Sequence, residues 1–230
     1  MKIVVANWKM NGDFEFADKF VTEINTLDLK NTVVVCPPVA LISRFHGFRY
    51  CVGAQNCFCE EKGAFTGENS PKLLKDAGCE YIILGHSERR SIFHETEDLI
   101  FRKWQAALLQ KLIPIVCVGE NTEDRSNWKQ VIRCQLDYFL KEQLHNTIFA
   151  YEPVWSIGTG LIPTIEEIEI VFEFIHNLLG NKVHLIYGGS VNSKNAKQIL
   201  NSNNVDGLLV GGASLKIDEF KRILIQTEKI

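Results

Sequence analysis

Eight short apolar runs, rich in Val, Ile and Leu, recur along the chain and are separated by longer stretches, most of which have a helical period. Runs of four to six residues with this composition are typical of buried strands. Eight strands, most of them followed by a helix, are what a closed (β/α)8 barrel requires. We therefore predict one α/β domain, a single (β/α)8 barrel over residues 1–230, with an open doubly wound sheet as the alternative. The predicted strands are residues 3–7, 32–36, 50–54, 81–84, 113–118, 148–152, 184–187 and 207–210.

The segment that follows the sixth predicted strand carries a clear helix signal. Apolar residues recur at three- and four-residue spacing from Ile168 to Leu179, so this helix should turn one apolar face to a core. Thr164 and Glu167 form a capping box, and Gly180 is placed to end the helix. The loop before it is thereby limited to roughly residues 153–163.

Composition argues against several classes of protein. The formal net charge is −3 and Lys and Arg form no stripe, which argues against a nucleic-acid partner. Cys57-x-Cys59 has no second Cys or His pair nearby, so the seven cysteines predict reduced structural thiols and no metal site. The apolar run at residues 3–6 is too short for a signal peptide, and no run of about 18 apolar residues could span a membrane. We therefore expect a cytoplasmic protein with no membrane partner.

The segment YEPVWSIGTG at residues 151–160 places a single carboxylate at the end of the sixth predicted strand. Pro153 cannot donate to a sheet ladder, so Glu152 should lie at the strand end. Gly158 and Gly160 allow a sharp turn that brings backbone N–H groups close to an anion. By itself, this pattern describes an exposed glutamate beside a flexible turn slightly better than it describes a site.

Other strand ends favour a site, because the carboxyl ends of all strands share one face of a parallel barrel. A lone Lys9 would more often be a solvated lysine, and a lone His86 a hydrogen-bonded core histidine. Ser87 begins an expected helix, whose N-terminus disfavours an imidazolium, so His86 should be neutral. Glycine turns follow strands seven and eight, where this fold commonly binds phosphate. The groups expected to converge are Asn7, Lys9, Gly85, His86, Glu152, Gly188, Gly189, Gly211 and Gly212.

Six segments together closely resemble the triosephosphate isomerase family, from one end of the chain to the other. The resemblance implies a TIM barrel that interconverts dihydroxyacetone phosphate and D-glyceraldehyde 3-phosphate, a reaction of glycolysis and gluconeogenesis, without a cofactor. No nucleotide site is indicated either, since the Gly158-x-Gly160 pair lacks a third glycine and no Walker-type motif exists. The segments are NWKMN at 7–11, GAFTGE at 63–68, ILGHSERR at 83–90, YEPVW at 151–155, YGGS at 187–190 and GG at 211–212.

The resemblance also implies roles for individual catalytic residues. Removing a proton beside a carbonyl produces an enediolate, which requires a base, a donor to the oxygen and fixed positive charge. In the family, the residues matching Glu152 and His86 are the base and the neutral electrophile, an established example of such an assignment. Lys9 and Asn7 would stabilise the developing negative charge and position the substrate, and Glu88 would support Lys9.

Substrate binding and assembly are assigned by the same resemblance. Backbone N–H groups of Gly158, in the lid at residues 157–160, would bind the phosphate together with those of Ser190, Gly211 and Gly212. The long loop at residues 55–70 would dock into a second subunit through Phe65 and Thr66, with Thr66 near the partner's Asn7. A homodimer is therefore expected.

The lid departs from the family pattern at two places. Residues 161–163 read Leu-Ile-Pro where Lys-Thr-Ala is usual, and Ser156 stands where Ala is usual. Hinge residues absorb backbone rotation, so lid motion could differ while the chemical step does not. Two alternatives remain: a phosphate-binding barrel without turnover, and another sugar-phosphate isomerase. The first would not need Glu152, His86 and Lys9, and the second does not fit the His86 and Glu152 segments.

Overall fold

The eight predicted strands pair in sequence order and close on themselves in a computed structural model that describes residues 2–228. All neighbouring strands are parallel, and β1 pairs with both β2 and β8. The predicted TIM barrel is therefore confirmed, and the open sheet was wrong. Two strands are shorter by one residue than predicted, because Tyr50 and Glu152 lie just outside them. The strands are β1 Ile3–Asn7, β2 Thr32–Cys36, β3 Cys51–Ala54, β4 Tyr81–Leu84, β5 Ile113–Val118, β6 Ile148–Tyr151, β7 His184–Tyr187 and β8 Gly207–Val210.

Helices connect the strands on the outside of the barrel. The connection from β2 to β3 is a 3-10 helix, Val39–Phe45, and two α-helices lie between β4 and β5. In the described part of the chain, no helix is long and apolar enough to cross a membrane. The α-helices are α1 Phe14–Asn25, α2 Pro71–Asp76, α3 Ser87–Ser91, α4 Glu97–Leu109, α5 Trp128–Leu136, α6 Ile165–Leu179, α7 Ala196–Leu200 and α8 Ile217–Thr227.

The core has two layers because successive side chains of a strand point to opposite faces. Val4 packs outward against the helices, and Val5 packs inward among the residues that fill the barrel. The inner layer includes Val34, Ile115 and Ile186, all buried. A barrel filled in this way leaves the strand ends as the places where polar side chains can gather.

The capping box of α6 forms as predicted and fixes the end of the preceding loop. Thr164 Oγ1 accepts the Glu167 N–H at 3.1 Å, and Glu167 Oε2 accepts the Thr164 N–H at 2.8 Å. Gly180 follows the helix with φ +90°, a left-handed conformation that favours glycine.

Candidate active site

Lys9 is fixed just beyond β1 by its backbone and by an ion pair. Its φ is +53°, a left-handed conformation that a side-chain-bearing residue keeps only where its surroundings require it. Asn7 Oδ1 accepts the Lys9 N–H at 3.0 Å, and Gln55 Nε2 donates to the carbonyl oxygens of Lys9 and Cys36, both at 2.8 Å. The Lys9 Nζ lies 2.6 Å from Glu88 Oε1. The ammonium group is therefore held in place at the strand end.

His86 lies between β4 and α3 and caps that helix. Its Nδ1 accepts the Glu88 N–H at 3.2 Å and lies 3.5 Å from Glu88 Oε2. A ring nitrogen that accepts a backbone N–H carries no proton, so the hydrogen bond fits a neutral imidazole with its proton on Nε2. The Nε2 atom lies 3.2 Å from Glu152 Oε1. The imidazole thus presents a donor to the carboxylate.

Glu152 is almost fully buried, with 2% of its surface exposed, directly after β6. Its Oε1 contacts His86, and its Oε2 accepts the Ser87 N–H at 3.1 Å. Gly188 makes room for it, because a Cβ there would lie 2.9 Å from Glu152 Cγ. The carboxylate is consequently positioned by two different strand ends, those of β4 and β6.

The turns after β7 and β8 form the opposite wall. Ser190 donates its N–H to Ser156 Oγ at 3.1 Å, which connects the β7 turn to the lid. Gly212 begins a 3-10 helix that runs to Leu215, with Gly211 directly before it. The first N–H groups of a helix have no partner within the helix, which makes such a turn suited to an anion.

All residues predicted from the sequence to act in catalysis or to bind substrate line one cavity of about 360 Å³. The structure brings them together from the ends of five strands, β1, β4, β6, β7 and β8. Glu88 does not line the cavity itself but forms an ion pair with Lys9, which does. These residues are Asn7, Lys9, His86, Glu152, Gly158, Ser190, Gly211 and Gly212.

The centre of the lid is exposed, and its hydrogen bonds are made mainly within the lid. Gly158 and Gly160 have φ values of +72° and +79°. Thr159 Oγ1 donates to the Trp155 carbonyl oxygen at 3.0 Å and accepts the Leu161 N–H at 3.1 Å. Leu161 is 60% exposed. The middle of the lid is therefore a compact turn that extends into solvent.

Residues that sequence reasoning missed hold the start of the lid. Glu120 Oε1 accepts Trp155 Nε1–H at 2.8 Å and Tyr151 Oη–H at 3.1 Å. Burial raises the pKa of Glu120, although these hydrogen bonds oppose the shift. The Arg125 guanidinium lies 3.9 Å from the centre of the Trp155 ring. Glu120 lies two residues after β5, so a search for carboxylates at every strand end would have found it.

The loop predicted to contact a second subunit does not line the cavity of its own chain. Residues 61–68 are exposed, and the centres of the Phe65 and Phe58 rings lie 4.5 Å apart. Thr66 lies at the exposed end of this loop. Among residues 2–228, no group of three or more His, Cys, Asp and Glu side chains is arranged to hold a metal ion.

Comparison with known proteins identifies the family of the chain. The sequence model of the triosephosphate isomerase family matches residues 2–227. A triosephosphate isomerase of Francisella philomiragia is 39% identical over an alignment of 248 positions that covers 100% of this chain and 98% of the relative. A triosephosphate isomerase of Alkaliphilus oremlandii is 42% identical over 242 positions, covering 96% and 98%. The chain therefore belongs to the triosephosphate isomerase family of intramolecular aldose–ketose isomerases.

Proposed function

We propose that this chain interconverts dihydroxyacetone phosphate and D-glyceraldehyde 3-phosphate through an enediolate. The proposal is carried by one observation: a buried carboxylate, an imidazole Nε2 3.2 Å from it and a fixed lysine line the same cavity as two glycine turns. These are the base, the donor, the positive charge and the anion-binding groups that the reaction needs. Family membership and the named relatives support the same activity.

Glu152 acts as the base. It removes a proton from the carbon beside the carbonyl; the C–H electron pair becomes the new C=C bond, and the carbonyl electrons move to oxygen. Neutral His86 donates Nε2–H to that oxygen, and Lys9 and Asn7 stabilise its negative charge. The proton of the neighbouring hydroxyl passes to this oxygen through His86, Glu152 returns its proton to the former carbonyl carbon, and the neighbouring oxygen forms the new carbonyl. Substrate must replace the His86–Glu152 contact, which frees the donor and the base together.

The phosphate is bound by backbone N–H groups on both sides of the cavity. Gly158 lies on the lid, and Ser190, Gly211 and Gly212 lie on the turns after β7 and β8. Binding energy from the phosphate closes the lid and excludes water, which strengthens the charge interactions at the carbonyl. The chemistry assigned to these residues uses no cofactor.

A homodimer is part of the proposal. Large apolar side chains are exposed after three strand ends: Met10 after β1, Phe65 after β3, and Ile92 and Phe93 after β4. Exposed apolar groups on one face are typical of a protein interface. Phe65 and Thr66 would enter the partner near its Asn7, beside Lys9. We place the enzyme in the cytoplasm, in glycolysis and gluconeogenesis.

One assay tests the function: isomerisation of D-glyceraldehyde 3-phosphate by wild-type protein, Glu152→Gln and Glu166→Gln. Loss of the base should lower kcat about 10²- to 10⁴-fold. Glu166, an exposed residue of α6, is the control and should leave kcat unchanged. Wild-type protein without turnover would favour the binding barrel or another isomerase. Full activity of Glu152→Gln would refute the assignment of the base.

Sedimentation of wild-type protein, Phe65→Asp and Leu109→Asp tests the dimer. Phe65 and Leu109 are both exposed, but Leu109 ends α4 at the opposite end of the barrel. A charge at Phe65 should produce monomers and lower turnover, whereas the same charge at Leu109 should do neither. A fully active wild-type monomer would contradict the dimer.

A further inference from the structure

The Ser156 side chain connects the start of the lid to the turn after β7. It is fully buried, and its Oγ accepts the Ser190 N–H at 3.1 Å and lies 3.4 Å from Tyr187 Oη. A Cβ at Gly189 would lie 2.7 Å from Ser156 Oγ and 2.1 Å from Tyr187 Oη, so the contact requires glycine there. These four residues form a closely packed contact.

This contact occupies a hydrogen-bond donor that the proposed phosphate site needs. A backbone amide has one proton, and the proton of Ser190 is directed to Ser156 Oγ. A phosphate oxygen that binds this amide has to replace the hydroxyl. An alanine at position 156, the residue usual at this place, has no oxygen to accept the N–H.

We propose that Ser156 is a positioning residue that sets the affinity for phosphate by competing for the Ser190 amide. In the unliganded protein its hydroxyl satisfies that amide and ties residues 154–156 to the β7 turn. Phosphate displaces the hydroxyl, so anion binding and release of the lid from this turn are one event. The inference rests on the phosphate site of the proposed function.

The phosphate affinity of Ser156→Ala tests this competition. The dissociation constants of inorganic phosphate and of glycerol 3-phosphate, which has no carbonyl and cannot react, are measured by calorimetry. Because the net contribution of a hydrogen bond is modest, both ligands should bind about three- to tenfold more tightly to Ser156→Ala. KM for glyceraldehyde 3-phosphate should fall in parallel. Simple damage to the site would change affinity in the opposite direction.

Thr159→Val is the matched control, because it also removes a lid hydroxyl but one bonded only to lid backbone in this structure. It should not tighten phosphate binding. Equal tightening in both variants would show that loosening the lid is sufficient and would overturn the role of Ser190. Unchanged or weaker phosphate binding by Ser156→Ala would overturn the proposal as well.

Amide NMR of the wild-type protein supplies an arm that needs no variant. The Ser190 amide should exchange slowly with solvent before phosphate is added, and its resonance should shift as phosphate is titrated. A Ser190 resonance that does not respond to phosphate would contradict the competition. These measurements do not depend on turnover, so absent isomerase activity would refute the proposed function while leaving the phosphate competition separately decided.

Discussion

The strand-end residues and the lid are built in opposite ways. Lys9, His86 and Glu152 each contact a residue from another part of the barrel: Lys9 with Glu88, His86 with Glu152, and Glu152 with Ser87. The central lid residues, 158–162, are exposed, and the hydrogen bonds of Thr159 stay within the lid. A group that stabilises charge must be in place before the charge develops, whereas a lid must move. The strand-end residues therefore have contacts with remote segments that fix them in place, whereas the central lid residues lack such contacts within residues 2–228.

The two ends of the lid are nevertheless anchored. Trp155 is held at the start by its hydrogen bond to Glu120, and Pro163 is buried at the other end, directly before the α6 capping box. We therefore expect any closing movement to lie between Trp155 and Pro163. Ser156 adds a second attachment at the start through the β7 turn. The lid is therefore a short exposed turn between two anchored ends.

Removing a preorganised charge should have a larger effect than any change in the lid, and Lys9→Met tests it. The variant keeps the length of the side chain and removes the cation proposed to face the developing oxyanion. Loss of one such group should lower kcat/KM about 10²- to 10³-fold. Lys72→Met is the control, because Lys72 is also ion-paired, with Asp76, but lies outside the cavity. Activity of Lys9→Met within a few-fold of wild type would show that strand-end charge is not what the site depends on.

The sequence predicted the strand ends well because periodicity and β-branched runs are local signals. The residues that line the cavity, His86 and Glu152 among them, all lie within a few positions of a predicted strand end or glycine turn. Contacts between remote segments had no such signal. The Gln55 bond to the Lys9 carbonyl spans 46 residues, and a backbone donor such as the Ser87 N–H has no sequence signature at all. Ser156 departs from the family pattern in the sequence, but its contact with Ser190, 34 residues away, is visible only in the folded barrel.

Replacing the hinge sequence at the end of the lid tests the region that is expected to move. Replacing residues 161–163, Leu-Ile-Pro, by Lys-Thr-Ala should alter turnover several-fold while leaving the isotope effect on proton transfer unchanged. Proline fixes its own φ and restricts the residue before it, so the natural hinge has fewer backbone conformations than the replacement. Turnover and substrate isotope behaviour are measured on the same preparation. Identical turnover would refute a kinetic role for the hinge, and a changed isotope effect would place the hinge in the chemistry.

The smallest effect on activity is expected at Glu120, where the anchor of the lid is tested through stability. Burial raises the pKa of this carboxyl above its unfolded value of 4.5, and its Oε2 is buried without a hydrogen-bond partner in the described structure. Folding therefore favours the protonated form. The stabilisation is complete below the unfolded pKa and is lost as pH rises through the higher folded pKa. Glu120→Gln cannot ionise, so its free energy of unfolding relative to wild type should increase as pH rises above about 4.5 and should stay level once pH exceeds the folded pKa of Glu120.

Urea unfolding of both proteins at one protein concentration measures this difference, since assembly would otherwise shift the transition. Glu166→Gln is the control, because Glu166 is exposed on α6, whereas its neighbour Glu167 takes part in the capping box. The pH dependence of Glu166→Gln should follow wild type. If Glu120→Gln also follows wild type at every pH, burial does not raise the pKa of the Glu120 carboxyl. In that case Trp155 would be held by its hydrogen bond to Glu120 and by the Arg125 guanidinium, with no contribution from the ionisation of Glu120.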